Sequence, residues 1–114
     1  MNLEHLNEVQ INELALMLGD EFPEFVRTFI SHSEELILSL KKQLNTNDNN
    51  AFVISIHSLK GSCRNVGAEL LANNCLQIEI AARNDTIAAI DPELMSICEE
   101  FNALKETLLK LARI

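Results

Sequence analysis

The sequence predicts an all-α fold, an antiparallel bundle of helices in one domain. Three observations carry that expectation. Glycine (3) and proline (2) are scarce among the 114 residues, so the chain has few places to turn. Its apolar residues are mostly Leu, Ile and Ala, with five Phe and no Trp or Tyr, a set that favours or tolerates helix. Those residues recur at steps of three and four between short polar breaks, with neither strand alternation nor an internal repeat.

The first helix is predicted from about His5 to Leu18, with Leu6, Val9, Leu14 and Met17 on a loose helical period and Gly19 as its stop. Asp20 is the expected N-cap of the second helix, with Pro23 in its first turn. Phe22, Phe25, Val26, Phe29, Ile30, Leu36, Ile37, Leu40 and Leu44 then form one apolar stripe. The run NTNDNN from Asn45 to Asn50 is a polar break, because short Asn and Asp side chains compete with the helix backbone for hydrogen bonds.

A third helix is expected from Asp48 or Asn49 to Val66, with Phe52, Ile56, Leu59, Cys63 and Val66 along one face. Gly67 marks a tight bend before a fourth helix from about Ala68 to Arg83, on which Leu71, Cys75, Ile78 and Ala82 repeat the spacing. Asn84 and Asp85 begin the next turn. Asp91-Pro92-Glu93 reads as an N-cap, a proline at the first helical position and an acidic first turn. The last helix carries Leu94, Ile97, Phe101, Leu104, Leu108 and Leu111 on a heptad seam.

Residues 1–114 have room for one core and one domain. A formal net charge of −8 argues against a nucleic-acid binder, which needs clustered Lys and Arg, and against an anionic membrane surface. The apolar runs are too short to span a bilayer, and the N-terminus has no basic-then-apolar leader, so a cytoplasmic protein is expected. Cys63, Cys75 and Cys98 are odd in number and widely spaced, which suggests neither a disulfide framework nor a zinc site. Cys63 and Cys75 fall on apolar stripes and are expected in the core.

His57 departs from this pattern. At about 100° per residue it lies roughly 140° from the centre of the third helix's apolar stripe, so it is expected to face solvent. Lys60, Gly61 and Arg64 follow at i+3, i+4 and i+7, so the imidazole is expected to share a surface with two cations and a position lacking a side chain. A neutral imidazole is a nucleophile near pH 7 and can attack the phosphorus of an acyl phosphate. Neighbouring positive charge suits a transferred group whose three oxygens carry negative charge. Gly61 costs the helix about 1 kcal/mol relative to Ala, a sign that something approaches closely. His5 and His32 have no such surroundings and are expected to be ordinary surface residues.

The string HSLKGSCRNVGA from His57 to Ala68 resembles the phosphorylation-site motif of histidine-containing phosphotransfer (HPt) domains, with His57, Leu59, Lys60, Gly61, Ser62, Gly67 and Ala68 matching. Leu71, Cys75 and the Ile78-Glu79 pair extend the likeness. The resemblance implies an antiparallel four-helix bundle capped by a shorter N-terminal helix. It implies His57 as phosphoacceptor, Lys60 as a phosphoryl-stabilising cation, Gly61 as the gap that admits a partner, and Ser62 as a helper or a hydroxyl bonded back to its own helix. Arg64 departs from the family pattern, leaving three roles open: phosphoryl contact, discrimination among partners, or simple solvation. Gly67-Ala68 is read equally as structural or functional, and Leu6, Leu14 and Met17 as core residues, some of them available to a docking partner.

The implied function is that of a phosphocarrier in a multistep two-component phosphorelay. It takes a phosphoryl group from one receiver-domain aspartyl phosphate and passes it to another receiver aspartate, with no turnover of its own. The implied partners are receiver domains of response regulators and hybrid histidine kinases. The receivers' own aspartates hold Mg²⁺, so no metal or cofactor is expected here, and a monomer is expected. Two other readings share the fold, the phosphoacceptor module of a chemotaxis-type kinase and a non-catalytic helical adaptor. A kinase dimerisation domain fits poorly because Ser58, not an acidic residue, follows His57. A nucleophile pair of His57 with Cys63 fails on geometry, since the two face opposite ways around the helix.

Overall fold

The computed structural model describes residues 6–84 and 90–113. Five α-helices follow one another: α1 Glu8–Leu18, α2 Phe22–Asn45, α3 Asn49–Asn65, α4 Glu69–Asn84 and α5 Asp91–Leu111, with a 3₁₀ turn at Gly19–Glu21. No strand occurs among the described residues. Helices α2 to α5 form an antiparallel ring in which each packs against two neighbours, and α1 closes one end. The molecule is 42 × 21 × 19 Å, the long axis following the helices.

The stripes read from the sequence line the interior. Phe52, Ile56, Leu59 and Cys63 of α3 are fully buried, as are Ile97, Leu104 and Leu108 of α5. On α2, Phe22, Val26, Phe29, Ile30, Ile37 and Leu40 are buried, while Phe25, Leu36 and Leu44 sit half-buried at the margin. Phe29 meets Phe101 across the core at 6.5 Å between ring centroids, and Lys105 Nζ donates to Glu34 Oε2 at 2.9 Å along the same seam. Cys63 and Cys75 face each other between α3 and α4. Their mutual hydrogen bond and their burial push the Cys63 thiol well above the usual range, so it is inert.

Several expectations change at the helix ends. The first helix starts at Glu8 because Asn7 caps it, its Oδ1 accepting from Gln10 N at 3.1 Å; His5 lies outside the described residues. Asp20 is not the cap of α2. The 3₁₀ turn runs straight into that helix and supplies the backbone bond from Phe22 N–H to Gly19 O, so no side-chain cap is used. Ile90, not Asp91, precedes α5, which begins one residue earlier than expected. Asp48 does cap α3, its side chain accepting from Ala51 N at 3.2 Å.

The face of α1 also differs from the expectation. Ile11 is buried and Leu14, Ala15 and Leu18 pack beside it, whereas Val9 and Met17 are exposed at 67% and 80%. Apolar residues recur all round the helix, interleaved with Glu8, Gln10, Asn12 and Glu13, so two stripes compete in the sequence, and the i, i+3, i+4, i+7 set beginning at Ile11 wins the contact. Leu6 is buried just ahead of the helix.

Gly67 is the hinge of the α3–α4 hairpin and the seat of α1. Its φ is +79°, and Asn7 N–H donates to its carbonyl at 2.7 Å. Gln10 Nε2 donates to Arg64 O at 2.7 Å and Asn7 Nδ2 to Glu69 Oε1 at 3.0 Å, completing the clasp. A Cβ at position 67 meets Asn7 Cβ at 3.2 Å and the Gln10 side chain at 3.3 Å. Of the two roles left open for this glycine, the structural one is evident. Gly67→Ala is expected to destabilise the fold by about 1–2 kcal/mol, the cost of a left-handed non-glycine residue, plus the displacement of α1. Urea unfolding with an unchanged m-value checks it.

Candidate functional site

The packing of α3 decides which way His57 points. With Phe52, Ile56, Leu59 and Cys63 sealed in the core, the His57 side chain stands on the outer face, 62% exposed. Its Nδ1 lies 2.9 Å from Glu79 Oε2 on α4. Glu79 directly follows Ile78 of the α4 stripe, so it sits where that stripe meets α3, and its side chain is only 6% exposed.

Three side chains converge on this carboxylate. Lys60 Nζ donates to Oε1 at 2.6 Å, and Arg83 donates to Oε2 through Nε at 3.1 Å and Nη2 at 2.8 Å. His57 shares Oε2 with the arginine. Burial alone would raise the Glu79 pKa, but the hydrogen bonds from Lys60, Arg83 and His57 outweigh it and hold the value at about 2. An ionised carboxylate can only accept, so the proton of the imidazole resides on Nδ1 and the lone pair on Nε2 faces outward. Two cations against one carboxylate leave a surplus of positive charge at this spot, in a chain whose net charge is −8.

Lys60 therefore does not share the solvent surface with His57, as its i+3 spacing suggested. It is turned under the imidazole into the α3–α4 seam, with its side chain 10% exposed. The attraction of a buried carboxylate overrides the helical angle, because a long lysine stem can swing its charge toward the neighbouring helix. Gly61 lies in the open, where an added Cβ meets nothing within 4 Å. Ser62 is half-buried on the other flank of α3, in a depression lined by Phe25, Thr28, Phe29, His32 and Asn65, away from the imidazole. Arg64 is exposed, and its carbonyl is the acceptor for Gln10. His32 is exposed on α2.

Glu79 and Arg83 are the residues that a reading of the helices one by one overlooks. A signal was present: an acidic residue beside the apolar stripe of α4, with an arginine at i+4 able to partner it.

A hollow of about 440 Å³ lies in the α2–α5 seam among Leu44, Leu94, Met95 and Cys98, across the ring from His57. The imidazole itself stands on open surface, a setting that suits a macromolecular partner better than an enclosed small molecule. Among the described residues no cluster of three or more His, Cys, Asp or Glu is arranged to hold a metal, and no helix is long and apolar enough to cross a membrane.

The family model described as "Hpt domain" matches residues 24–113. Histidine-containing phosphotransfer protein B (HptB) from Pseudomonas aeruginosa PAO1 is a similar solved structure, with a TM-score of 0.91 and 29% identity over 96% of this chain and 95% of that one. The HPT domain of a sensor hybrid histidine kinase from Shewanella shares the fold, with a TM-score of 0.78 and 20% identity over 96% and 95% of the two chains. No curated protein matches the sequence.

The depressed Glu79 pKa makes a pH-dependent contribution to stability. The folded protein binds this proton more weakly than the unfolded chain, so the contribution is fully present above pH 4.5 and disappears as pH falls to about 2. Glu79→Gln leaves Lys60 buried without its counter-charge and is expected to destabilise the fold by about 3 kcal/mol at pH 7. The gap from wild type should narrow as pH drops from 4.5 to 2, as measured by urea unfolding at each pH.

Proposed function

The chain belongs to the Hpt domain family and is a phosphorelay phosphocarrier, and from that premise we propose that His57 is its phosphoacceptor. The observation that carries this reading is an imidazole 62% exposed whose Nδ1 lies 2.9 Å from the carboxylate of Glu79, so that Nε2 is the nitrogen left for an incoming phosphorus.

Nε2 attacks the phosphorus of a receiver's aspartyl phosphate, a nitrogen–phosphorus bond forms, and the phosphorus–oxygen bond to the aspartate breaks with the carboxylate as leaving group. The ring is then a phosphorylated imidazolium. Its proton stays on Nδ1, because a carboxylate whose conjugate acid has a pKa near 2 is too weak a base to remove it. Retaining that proton keeps the ring a good leaving group, so the same contacts serve the return step to a second aspartate. A carrier needs transfer in both senses, and this hydrogen bond supports it.

Lys60 contributes from below, holding Glu79 ionised and in register while adding positive charge under the imidazole. Gly61, one turn along α3 and open above, admits the partner's surface. Arg64 extends the exposed face toward α1 as a contact for the partner, and Ser62 belongs to its α2-facing flank. The partners on this reading are receiver domains of response regulators and hybrid kinases in the cytoplasm. The protein is restored after each cycle without turnover of its own. Residues 1–114 act as one unit, since α1 is bonded onto the α3–α4 turn.

Incubation with a phosphorylated receiver domain is expected to give acid-labile, alkali-stable label on the wild type and none on His57→Gln. Label retained by that variant would remove His57 from the role. Gly61→Ala is expected to keep or raise stability, by up to about 1 kcal/mol, while Gly61→Gln keeps the fold and slows transfer from the receiver. An unchanged Gly61→Gln rate would remove the access role.

A further inference from the structure

Two cations grip the same carboxylate, and they do so differently. Lys60 is buried, and its 2.6 Å bond to Oε1 is the shorter grip. Moving it toward a group on His57 would strip a buried carboxylate of its nearest counter-charge, a costly exchange. Arg83 approaches from the solvent side of Oε2, with its side chain 57% exposed.

We propose that Arg83 is the cation that meets the phosphoryl group on His57, and that Lys60 is a positioning residue acting through Glu79. This rests on His57 being the acceptor. The guanidinium and the imidazole are held by one oxygen atom, Oε2 lying 2.8 Å from Arg83 Nη2 and 2.9 Å from His57 Nδ1. Arg83 is thereby fixed at the edge of the ring before any phosphoryl group arrives. Of its five N–H bonds the carboxylate uses two, one on Nε and one on Nη2, which leaves three for further oxygens. A planar guanidinium fork matches the spacing of phosphoryl oxygens, and its weaker hydration lowers the cost of leaving water for them.

The arrival of a doubly charged phosphoryl group changes the balance at Arg83. In the free protein Glu79 is the anion beside it; in the phosphorylated one the phosphoryl oxygens compete for the same fork. Arg83 is able to bridge the two by rotating its outer nitrogens, while Lys60 keeps Glu79 ionised and Glu79 keeps the Nδ1 proton in place. The position of Arg83 in the last turn of α4, at the negative end of the helix dipole, keeps the cation near the site while it does so.

The test compares wild type, Arg83→Gln and Arg83→Lys with two phosphoryl donors, a phosphorylated receiver domain and the small donor phosphoramidate. Wild type must first take label on His57; if it does not, the acceptor assignment fails before this one is reached. Arg83→Gln is expected to accept phosphoryl at least ~10-fold more slowly from both donors, the scale of one lost charge-assisted hydrogen bond. Arg83→Lys should recover part of the rate, and the phosphorus NMR resonance of the phosphohistidine should move in Arg83→Gln. A rate within twofold of wild type for both donors with an unmoved resonance overturns the proposal. Slowing confined to the receiver also overturns it, because Arg83 would then serve docking alone.

Discussion

A single buried carboxylate organises this molecule's surface chemistry. Glu79 receives hydrogen bonds from α3 through His57 and Lys60, and from its own helix through Arg83. A carboxylate in that position is tolerable only when its donors replace the water it has lost, and three of them do. The same bonds set the imidazole tautomer, hold a lysine beneath the ring and anchor an arginine at its edge. Stability and reactivity are coupled here because one group serves both.

Fold geometry makes the cluster possible. The hairpin of α3 and α4 folds about Gly67, whose positive φ lets the chain reverse while α1 sits on the turn. The reversal brings His57 and Lys60, one turn apart on α3, to one residue of α4. Neither helix holds the site alone, so changes in the hairpin's packing would move the imidazole relative to its partner carboxylate.

The parts of this architecture legible in the sequence were those set by a residue's own helix. The stripe through Phe52, Ile56, Leu59 and Cys63 oriented α3 and placed His57 outside, and each of those four residues is fully buried. Where two helices or two stripes compete, one-dimensional periodicity loses its authority. On α1 the chain offers apolar residues all round, so the period was read through Val9 and Met17, which are exposed, and passed over Ile11, which is buried. Lys60 was assigned to the surface by angle, yet a flexible stem and a carboxylate on the adjacent helix drew it inward. Glu79 was visible in the sequence as half of the Ile78-Glu79 pair, but its role and that of Arg83 emerged only once α4 was laid against α3, because a partner across a hairpin leaves its mark in register, which spacing along one helix does not report.

The open space above Gly61 and the 62% exposure of His57 have a further consequence. Among the described residues nothing covers the ring, so bulk water reaches the same nitrogen that a receiver must reach. The residence time of a phosphoryl group is then a race between hydrolysis and encounter. A domain built this way is a conduit with a leak, suited to passing a signal promptly and poorly suited to remembering it.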